Sequence, residues 1–227
     1  MNRYQSKAVV LPALSALMGV LLTAYGVQAH AQTAPSYLTS GTNNVGVGAA
    51  SPTGVSGTGN VAVGVGSGQT TGSGSDEVGV GYNAGTSNGG GLGDIGIGYQ
   101  AGSNITADSA GQINANTGIG YEAGWNITGG YNQSIGDNAG NYVTGAYNQS
   151  FGWHSGQTVS GSDNDFVGSS AGVDVTGNYN QEYGDTAGHG VIGSNNIGFG
   201  ENSGNNVSTN YNLGIGDGAG SNVSGNN

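Results

Sequence analysis

The chain has 227 residues, of which 50 are glycine, 7% are charged and none is cysteine. Two basic residues stand against 13 acidic ones, so the net charge is −11. This composition excludes a disulfide-stabilised scaffold and cysteine-based metal sites, and it is unlike that of an ordinary globular domain. Because no Lys or Arg follows Lys7, the chain also lacks a basic surface with which to bind nucleic acid.

Residues 1–31 have the three parts of a secretory signal peptide. A basic start is followed by an apolar run from Ala8 to about Ala24 and by the small-x-small site Ala29–Ala31. We expect cleavage after this site rather than retention as a membrane anchor, because Pro12 and the polar residues that follow weaken the run as a membrane span. Residues 32–41 are interpreted as a linker. The mature chain is then expected to have no membrane span and to lie outside a bacterial cell or at its surface.

From residue 42 onward the chain repeats short phrases in which an apolar residue precedes a glycine, here called the key glycine. Over residues 114–227 the key glycines recur every 16 residues, whereas residues 42–113 repeat irregularly, with an insertion near 104–114. The unit is too short for a helix pair, and its glycines would break a helix. Alternation before the key glycine is typical of a short strand. We therefore predict an all-β fold, a parallel β-solenoid (a β-roll or β-helix) of about eleven coils.

Three columns of the repeat are predicted to form ladders along the solenoid. An asparagine four residues before the key glycine would hydrogen-bond to its equivalents in adjacent coils. The apolar residue before the key glycine would fill the core, and the key glycine would form a corner. The asparagines are Asn116, Asn132, Asn148, Asn164, Asn180, Asn196 and Asn212; the core residues are Ile119, Ile135, Phe151, Val167, Tyr183, Phe199 and Ile215; the glycines are Gly120, Gly136, Gly152, Gly168, Gly184, Gly200 and Gly216.

Gln133, Gln149 and Gln181 share a position that is apolar in Ile197 and Leu213. If these glutamines lie in the interior they must be paired, so they could instead mark a seam between chains.

No arrangement typical of catalysis is apparent. His154 and His189 fall in different columns, and no nucleophile–base pair or carboxylate pair can be identified from the spacing. We therefore predict a protein that is not an enzyme, with no catalytic residues.

Carboxylates recur just after the key glycine, and Asp185, Glu201 and Asp217 would repel one another when stacked. Either they bridge Ca²⁺, the only cofactor that the sequence suggests, or they occupy a solvated turn. We prefer the turn, since Trp153 and Ser169 interrupt the column.

A hydroxyl column could bind ice or a glycan, or could satisfy its own backbone in a turn. It consists of Thr128, Thr144, Ser160, Thr176, Ser208 and Ser224.

The phrases Val61-Ala62-Val63-Gly64, Val78-Gly79-Val80-Gly81 and Ile95-Gly96-Ile97-Gly98 resemble the head repeats of trimeric autotransporter adhesins. That resemblance implies a left-handed parallel β-roll, three chains side by side, and binding to matrix proteins or to other cells. The phrase at 131–136 and its copies are also similar to repeats of curli-type amyloid subunits, which are exported proteins too.

The sequence thus predicts an exported, non-enzymatic structural or adhesive solenoid. Its expected partners are other copies of itself, in trimers or extracellular fibres, and a host or matrix surface to which it attaches or on which a biofilm forms. The alternative is a soluble solenoid that binds ice, a glycan or calcium as a monomer.

Overall fold

The structure is a computed structural model that describes residues 43–48, 57–68, 74–86, 91–106 and 114–225. All of them belong to the compact unit Pro35–Asn227. The predicted signal peptide, the linker over 32–41 and most of the insertion near 104–114 lie outside the described residues. Strands, bridges and turns make up the described part, with no helix in it, and accordingly no helix that could cross a membrane is found there.

Fourteen short strands follow one another along the described part of the chain. They are β1 (Val45–Val47), β2 (Val61–Val63), β3 (Val78–Val80), β4 (Ile95–Ile97), β5 (Thr117–Ile119), β6 (Gln133–Ile135), β7 (Val143–Thr144), β8 (Gln149–Phe151), β9 (Val159–Ser160), β10 (Asp165–Val167), β11 (Val175–Thr176), β12 (Gln181–Tyr183), β13 (Ile197–Phe199) and β14 (Leu213–Ile215).

The strands form two parallel sheets. The long sheet contains eleven strands in the order β1-β2-β3-β4-β5-β6-β8-β10-β12-β13-β14, and the short sheet contains β7, β9 and β11. Equivalent residues of consecutive coils pair directly, as Gln133 does with Gln149 and Asp165 with Gln181. The predicted all-β parallel solenoid is therefore confirmed. The chain makes about nine turns, slightly fewer than the predicted eleven coils.

Small and β-branched residues fill the interior. The middle residue of each long-sheet strand points inward and is usually Gly, Ala or Ser, as in Ser134 and Ser150, which are buried. A second inward column supplies the main hydrophobic cluster, together with Phe166 and Ala171. Its members are Ile105, Ile127, Val143, Val159, Val175, Val191 and Val207.

The apolar column before the key glycine lies on the outside, so the prediction that Ile119 through Ile215 fill the core is wrong. Ile119 is 37% exposed and Ile215 is 70% exposed. Side chains alternate along a strand, so the neighbours of an inward residue point outward. The interior behind the strand is also too narrow for a large side chain in most coils: a Cβ added to Gly118 would lie 2.2 Å from the carbonyl oxygen of Ala123.

The key glycines do form corners. Gly136 has a φ of +136°, and a Cβ at this position would lie 2.3 Å from the carbonyl oxygen of Gly152 in the next coil. Only glycine fits both the dihedral angle and the close approach of the two backbones.

Candidate functional site: the outer face of the long sheet

The largest candidate for an interaction site is the outward-facing side of the long sheet, which we call the outer face. It consists of the first and third residues of the eleven strands. In the third position every residue is apolar or aromatic: Val47, Val63, Val80, Ile97, Ile119, Ile135, Phe151, Val167, Tyr183, Phe199 and Ile215. All eleven are exposed or half-buried, which leaves an unbroken apolar ladder at the surface.

The first position is apolar at both ends of the outer face and polar in the middle. Its residues are Val45, Val61, Val78, Ile95, Thr117, Gln133, Gln149, Asp165, Gln181, Ile197 and Leu213. Gln133, Gln149 and Gln181 are exposed, so they do not need partners within the chain. Register keeps equivalent side chains in contact, and the rings of Tyr183 and Phe199 stack with centroids 4.8 Å apart.

The outer face is large and almost uncharged. Eleven strands about 4.8 Å apart and about 10 Å wide give an area of about 500 Å². Of its 22 outward residues 17 are apolar or aromatic, so the apolar part is comparable with the largest exposed apolar patches on monomers. Of the 13 acidic residues of the chain, Asp165 alone occupies an outward position in the described strands. Burial and the neighbouring Asp163 raise the pKa of Asp165 above its ordinary value.

Tyrosines flank the outer face on both sides. On one side Tyr82, Tyr99 and Tyr121 form a continuous stack, with ring centroids 5.3 and 4.9 Å apart. On the other side Tyr131 and Tyr147 stack at 4.9 Å. All five side chains are exposed.

The predicted asparagine column forms a buried hydrogen-bonded ladder. Asn164 donates from Nδ2 to Oδ1 of Asn148 at 2.8 Å and to the carbonyl oxygen of Gly177 at 3.0 Å. Its own Oδ1 accepts hydrogen bonds from the backbone N–H and the Nδ2 of Asn180, at 2.9 and 3.0 Å. The ladder ties each coil to its neighbours and so holds the strands of the outer face in register.

Two carboxyl groups replace asparagines in this ladder, and the sequence analysis missed both. Asp94 and Glu77 lie four residues before their key glycines and are buried. Asp94 Oδ1 accepts hydrogen bonds from the backbone N–H and the Nδ2 of Asn116, at 2.9 and 3.2 Å. Burial raises the pKa of Asp94 to about 6, although these hydrogen bonds act in the opposite direction. Burial, together with the carboxyl of Asp94, raises the pKa of Glu77 to about 8.

Glu182 is a third buried carboxyl group that the sequence analysis missed. It occupies the inward middle position of β12, where its Oε2 lies only 2.1 Å from the position of a Cβ on Gly198 in the next coil. Neither carboxyl oxygen has a hydrogen-bond partner in the described part of the chain. Burial raises the pKa of Glu182 to about 8, so at neutral pH it is mostly protonated.

The suggested calcium ligands Asp185, Glu201 and Asp217 occupy one column of consecutive coils and are exposed. Within residues 43–225 as described, no group of three or more His, Cys, Asp or Glu side chains could hold a metal ion. His154 stacks on its neighbour Trp153, with centroids 3.8 Å apart, whereas His189 lies more than two coils further along. The structure brings the two histidines into no common site.

The hydroxyl column lies on the short sheet. Thr144, Ser160 and Thr176 pair in register and point outward. They form a narrow polar surface distinct from the outer face.

Comparison with known protein families, with characterised proteins and with experimentally determined structures gives no match for this chain. Its function must therefore be argued from the geometry of its own surfaces.

Proposed function

We propose that this chain is an exported, non-enzymatic structural or adhesive protein whose solenoids associate with one another through the outer face. The observation that carries the proposal is the unbroken ladder of apolar and aromatic residues in the third position of all eleven strands. An exposed apolar patch of this size often marks an interaction site. Export itself is inferred from the predicted signal peptide over residues 1–31.

The free energy available from the outer face supports a stable association. Covering the exposed part of one such side chain contributes about 1 kcal/mol, so the ladder contributes about 10 kcal/mol for each chain. The cost of association in lost translational and rotational freedom is estimated at about 4 to 15 kcal/mol. The free energy gained by packing two or three outer faces together would therefore balance or exceed that cost.

The distribution of charge favours a second copy as the partner. A chain with 13 acidic residues repels anionic surfaces and other copies of itself at most orientations. On the outer face the repulsion is confined to Asp165. Contact between like chains there therefore has little electrostatic cost, and the remaining acidic surface would stay in solvent or face a host or matrix surface.

Sedimentation of the purified chain tests the proposal. We expect a discrete oligomer or a fibre at micromolar concentration, and Ile135→Asp should shift it towards monomer by placing a charge in the apolar ladder. Ile192→Asp is the matched control, because Ile192 is 61% exposed but lies outside the outer face. A monomeric wild-type chain, or equal effects of the two variants, would exclude this role of the outer face.

The hydroxyl ladder of the short sheet favours a second candidate, a monomeric solenoid that binds ice or a glycan. Thr128, Thr144, Ser160 and Thr176 are exposed and follow one another in consecutive coils. A monomer that loses ice or glycan binding on Thr144→Val substitution would support this candidate over self-association.

A further inference from the structure

The two flanks of the outer face carry complementary residues. We call the position five residues before each key glycine the first flank and the position one residue after it the second flank. Each coil is numbered here by its strand in the long sheet. From the third strand to the eleventh, the flanks hold Asp76 and Tyr82, Gly93 and Tyr99, Ala115 and Tyr121, Tyr131 and Asp137, Tyr147 and Trp153, Asp163 and Ser169, Tyr179 and Asp185, Asn195 and Glu201, and Tyr211 and Asp217.

In six of the seven coils that have a tyrosine on a flank, it is matched by aspartate or a small residue on the other flank; the exception is Tyr147, which is paired with Trp153. Seven of these nine coils have a tyrosine on one flank, and four of the seven have an aspartate on the opposite flank of the same coil. Two more pair tyrosine with Gly93 or Ala115, and no coil has tyrosine on both flanks. A solvent-exposed turn imposes no such relation on two separate positions.

The paired residues cannot touch within one chain. The extended segment between them, from Asn132 to Gly136 in the sixth coil, spans about 13 Å by itself. Tyr131 and Asp137 lie beyond its two ends, on opposite edges of the strand. The relation between the flanks therefore has its physical explanation outside the single solenoid.

The tyrosines of the first flank also occupy a backbone conformation that disfavours them. Tyr131, Tyr147, Tyr179 and Tyr211 have φ values of 62°, 61°, 58° and 63°, in the left-handed region that favours Gly, Asn and Asp. In other coils the same position is held by Asp76, Asp163, Asn195, Ala115 or glycine. No hydrogen bond of the four phenol hydroxyls occurs in the described part of the chain. Tyr131 and Tyr147 stack on each other, whereas no ring contact of Tyr179 or Tyr211 is found there, so nothing local accounts for tyrosine at those two positions.

We propose that the first flank of one chain lies against the second flank of a parallel, in-register neighbour, where tyrosine hydroxyls donate hydrogen bonds to the neighbour's aspartates. The inference rests on the proposed self-association through the outer face and specifies its orientation and contacts. Tyr131, Tyr179 and Tyr211 would donate to Asp137, Asp185 and Asp217 of the neighbour. Tyr82 would donate to the neighbour's Asp76.

The acceptors are suited to this role. Asp76, Asp137, Asp185 and Asp217 are exposed. The hydroxyl of Thr186 donates a hydrogen bond to Oδ1 of Asp185 at 3.2 Å, which leaves Oδ2 of Asp185 for a further donor. A phenol–carboxylate hydrogen bond is charge-assisted and is therefore stronger than one between neutral groups.

Other arrangements of two copies give fewer such pairs. A shift of one coil in either direction leaves only two tyrosine–acid pairs, and it brings Asp163 against Asp185 or Tyr131 against Tyr121. An antiparallel arrangement about the sixth coil places Tyr131 of one copy against Tyr131 of the other, and Asp137 of one copy against Asp137 of the other. The parallel in-register contact provides four pairs with no opposed charges on the flanks. It joins unlike edges, which is compatible with a ring of two, three or more chains.

Disulfide cross-linking tests this contact, because the chain has no cysteine of its own. In a Tyr179→Cys/Asp185→Cys double variant the two Cα atoms of one chain are too far apart for a disulfide, which requires a separation below about 7 Å. In the proposed contact, position 179 of one chain lies against position 185 of its neighbour, so a disulfide can form between the two chains. Tyr179→Cys/Asp217→Cys is the matched control, since its cysteines are offset by two coils, or about 10 Å. Tyr211→Cys/Asp217→Cys provides a second matched pair if the first variant does not fold.

Mild oxidation of the assembled double variant should give one predominant covalent species on a non-reducing gel. Its size should equal that of the oligomer measured by sedimentation, and the offset pair and the single variant Tyr179→Cys should remain mostly uncross-linked. Separately, Tyr179→Phe should weaken assembly by about tenfold.

The outcomes separate the two proposals. If the protein sediments as an oligomer but the matched pair cross-links no better than the offset pair, the flank contact is refuted and association through the outer face stands. Efficient cross-linking of Tyr179→Cys alone would likewise refute the contact, because it requires like flanks to meet. A protein that remains monomeric at all concentrations refutes both.

Discussion

The isolated carboxyl group of Glu182 should make the solenoid less stable as the pH rises. Its pKa in the folded chain is about 8, against 4.5 for a solvated glutamate. As the pH rises, the unfolded chain therefore loses this proton before the folded chain does. The free energy of unfolding is at its full value below pH 4.5, falls as the pH rises, and has lost the contribution of this group once the pH passes 8. At 1.36 kcal/mol for each pKa unit, the loss between pH 5 and pH 9 amounts to about 4 kcal/mol for this group alone.

Glu182→Gln keeps the shape of the side chain but cannot ionise. The variant should lose about 4 kcal/mol less than the wild-type chain between pH 5 and pH 9, measured as the free energy of urea unfolding followed by circular dichroism. Glu201→Gln, which removes an exposed carboxyl one coil further along, is the matched control with which the effect of Glu182→Gln is compared. If Glu182→Gln loses as much stability over this range as the wild-type chain, the carboxyl is not buried unpaired and the reasoning fails.

Three further substitutions follow from the same geometry. Asp94→Asn should restore the amide ladder and raise stability by up to about 3 kcal/mol above pH 7, because the folded pKa of Asp94 is raised to about 6; no gain in the urea midpoint at pH 8 would contradict this. Asn164→Ala removes four hydrogen bonds of the ladder and should cost about 3 to 5 kcal/mol, with faster amide exchange at Asn180 as a local readout. Gly168→Ala should cost more than about 2 kcal/mol, since its Cβ would lie 2.1 Å from the carbonyl oxygen of Gly184; an unchanged melting temperature would show that the coils can separate to accommodate it.

The sequence was sufficient to predict the coil but not to predict which side of its strands faces inward. A spacing of 16 residues between equivalent phrases specifies a stack whatever the side chains do, and this is why the parallel sheets were correctly predicted. Alternation along Gln133–Ile135 shows only that neighbours face opposite ways. We assigned the isoleucine to the core because it is the most apolar residue, whereas the narrow interior accepts the serine between its neighbours.

The buried acids show a second limit of sequence reasoning. Glu77 and Asp94 lie in the irregular part of the repeat, where the column of the asparagines is harder to follow. Alignment on Gly81 and Gly98 would have placed them four residues before their key glycines, in the same column as Asn116. Glu182 carries no comparable signal, because its column changes from serine to phenylalanine to glutamate to glycine in consecutive coils, and only the coordinates show that Gly198 makes room for it.

The pairing of each strand with its equivalent 16 residues away has a consequence for the gene as well as for the protein. In the regular part of the repeat, a duplication or deletion of 16 codons adds or removes one whole coil of about 4.8 Å. The remaining residues still stack on equivalent positions of the adjacent coils. Unequal recombination between coils can therefore change the length of the rod in whole steps without rebuilding its interior. An insertion of a single codon, by contrast, would move one inward serine to the solvent side and break the asparagine ladder at that level.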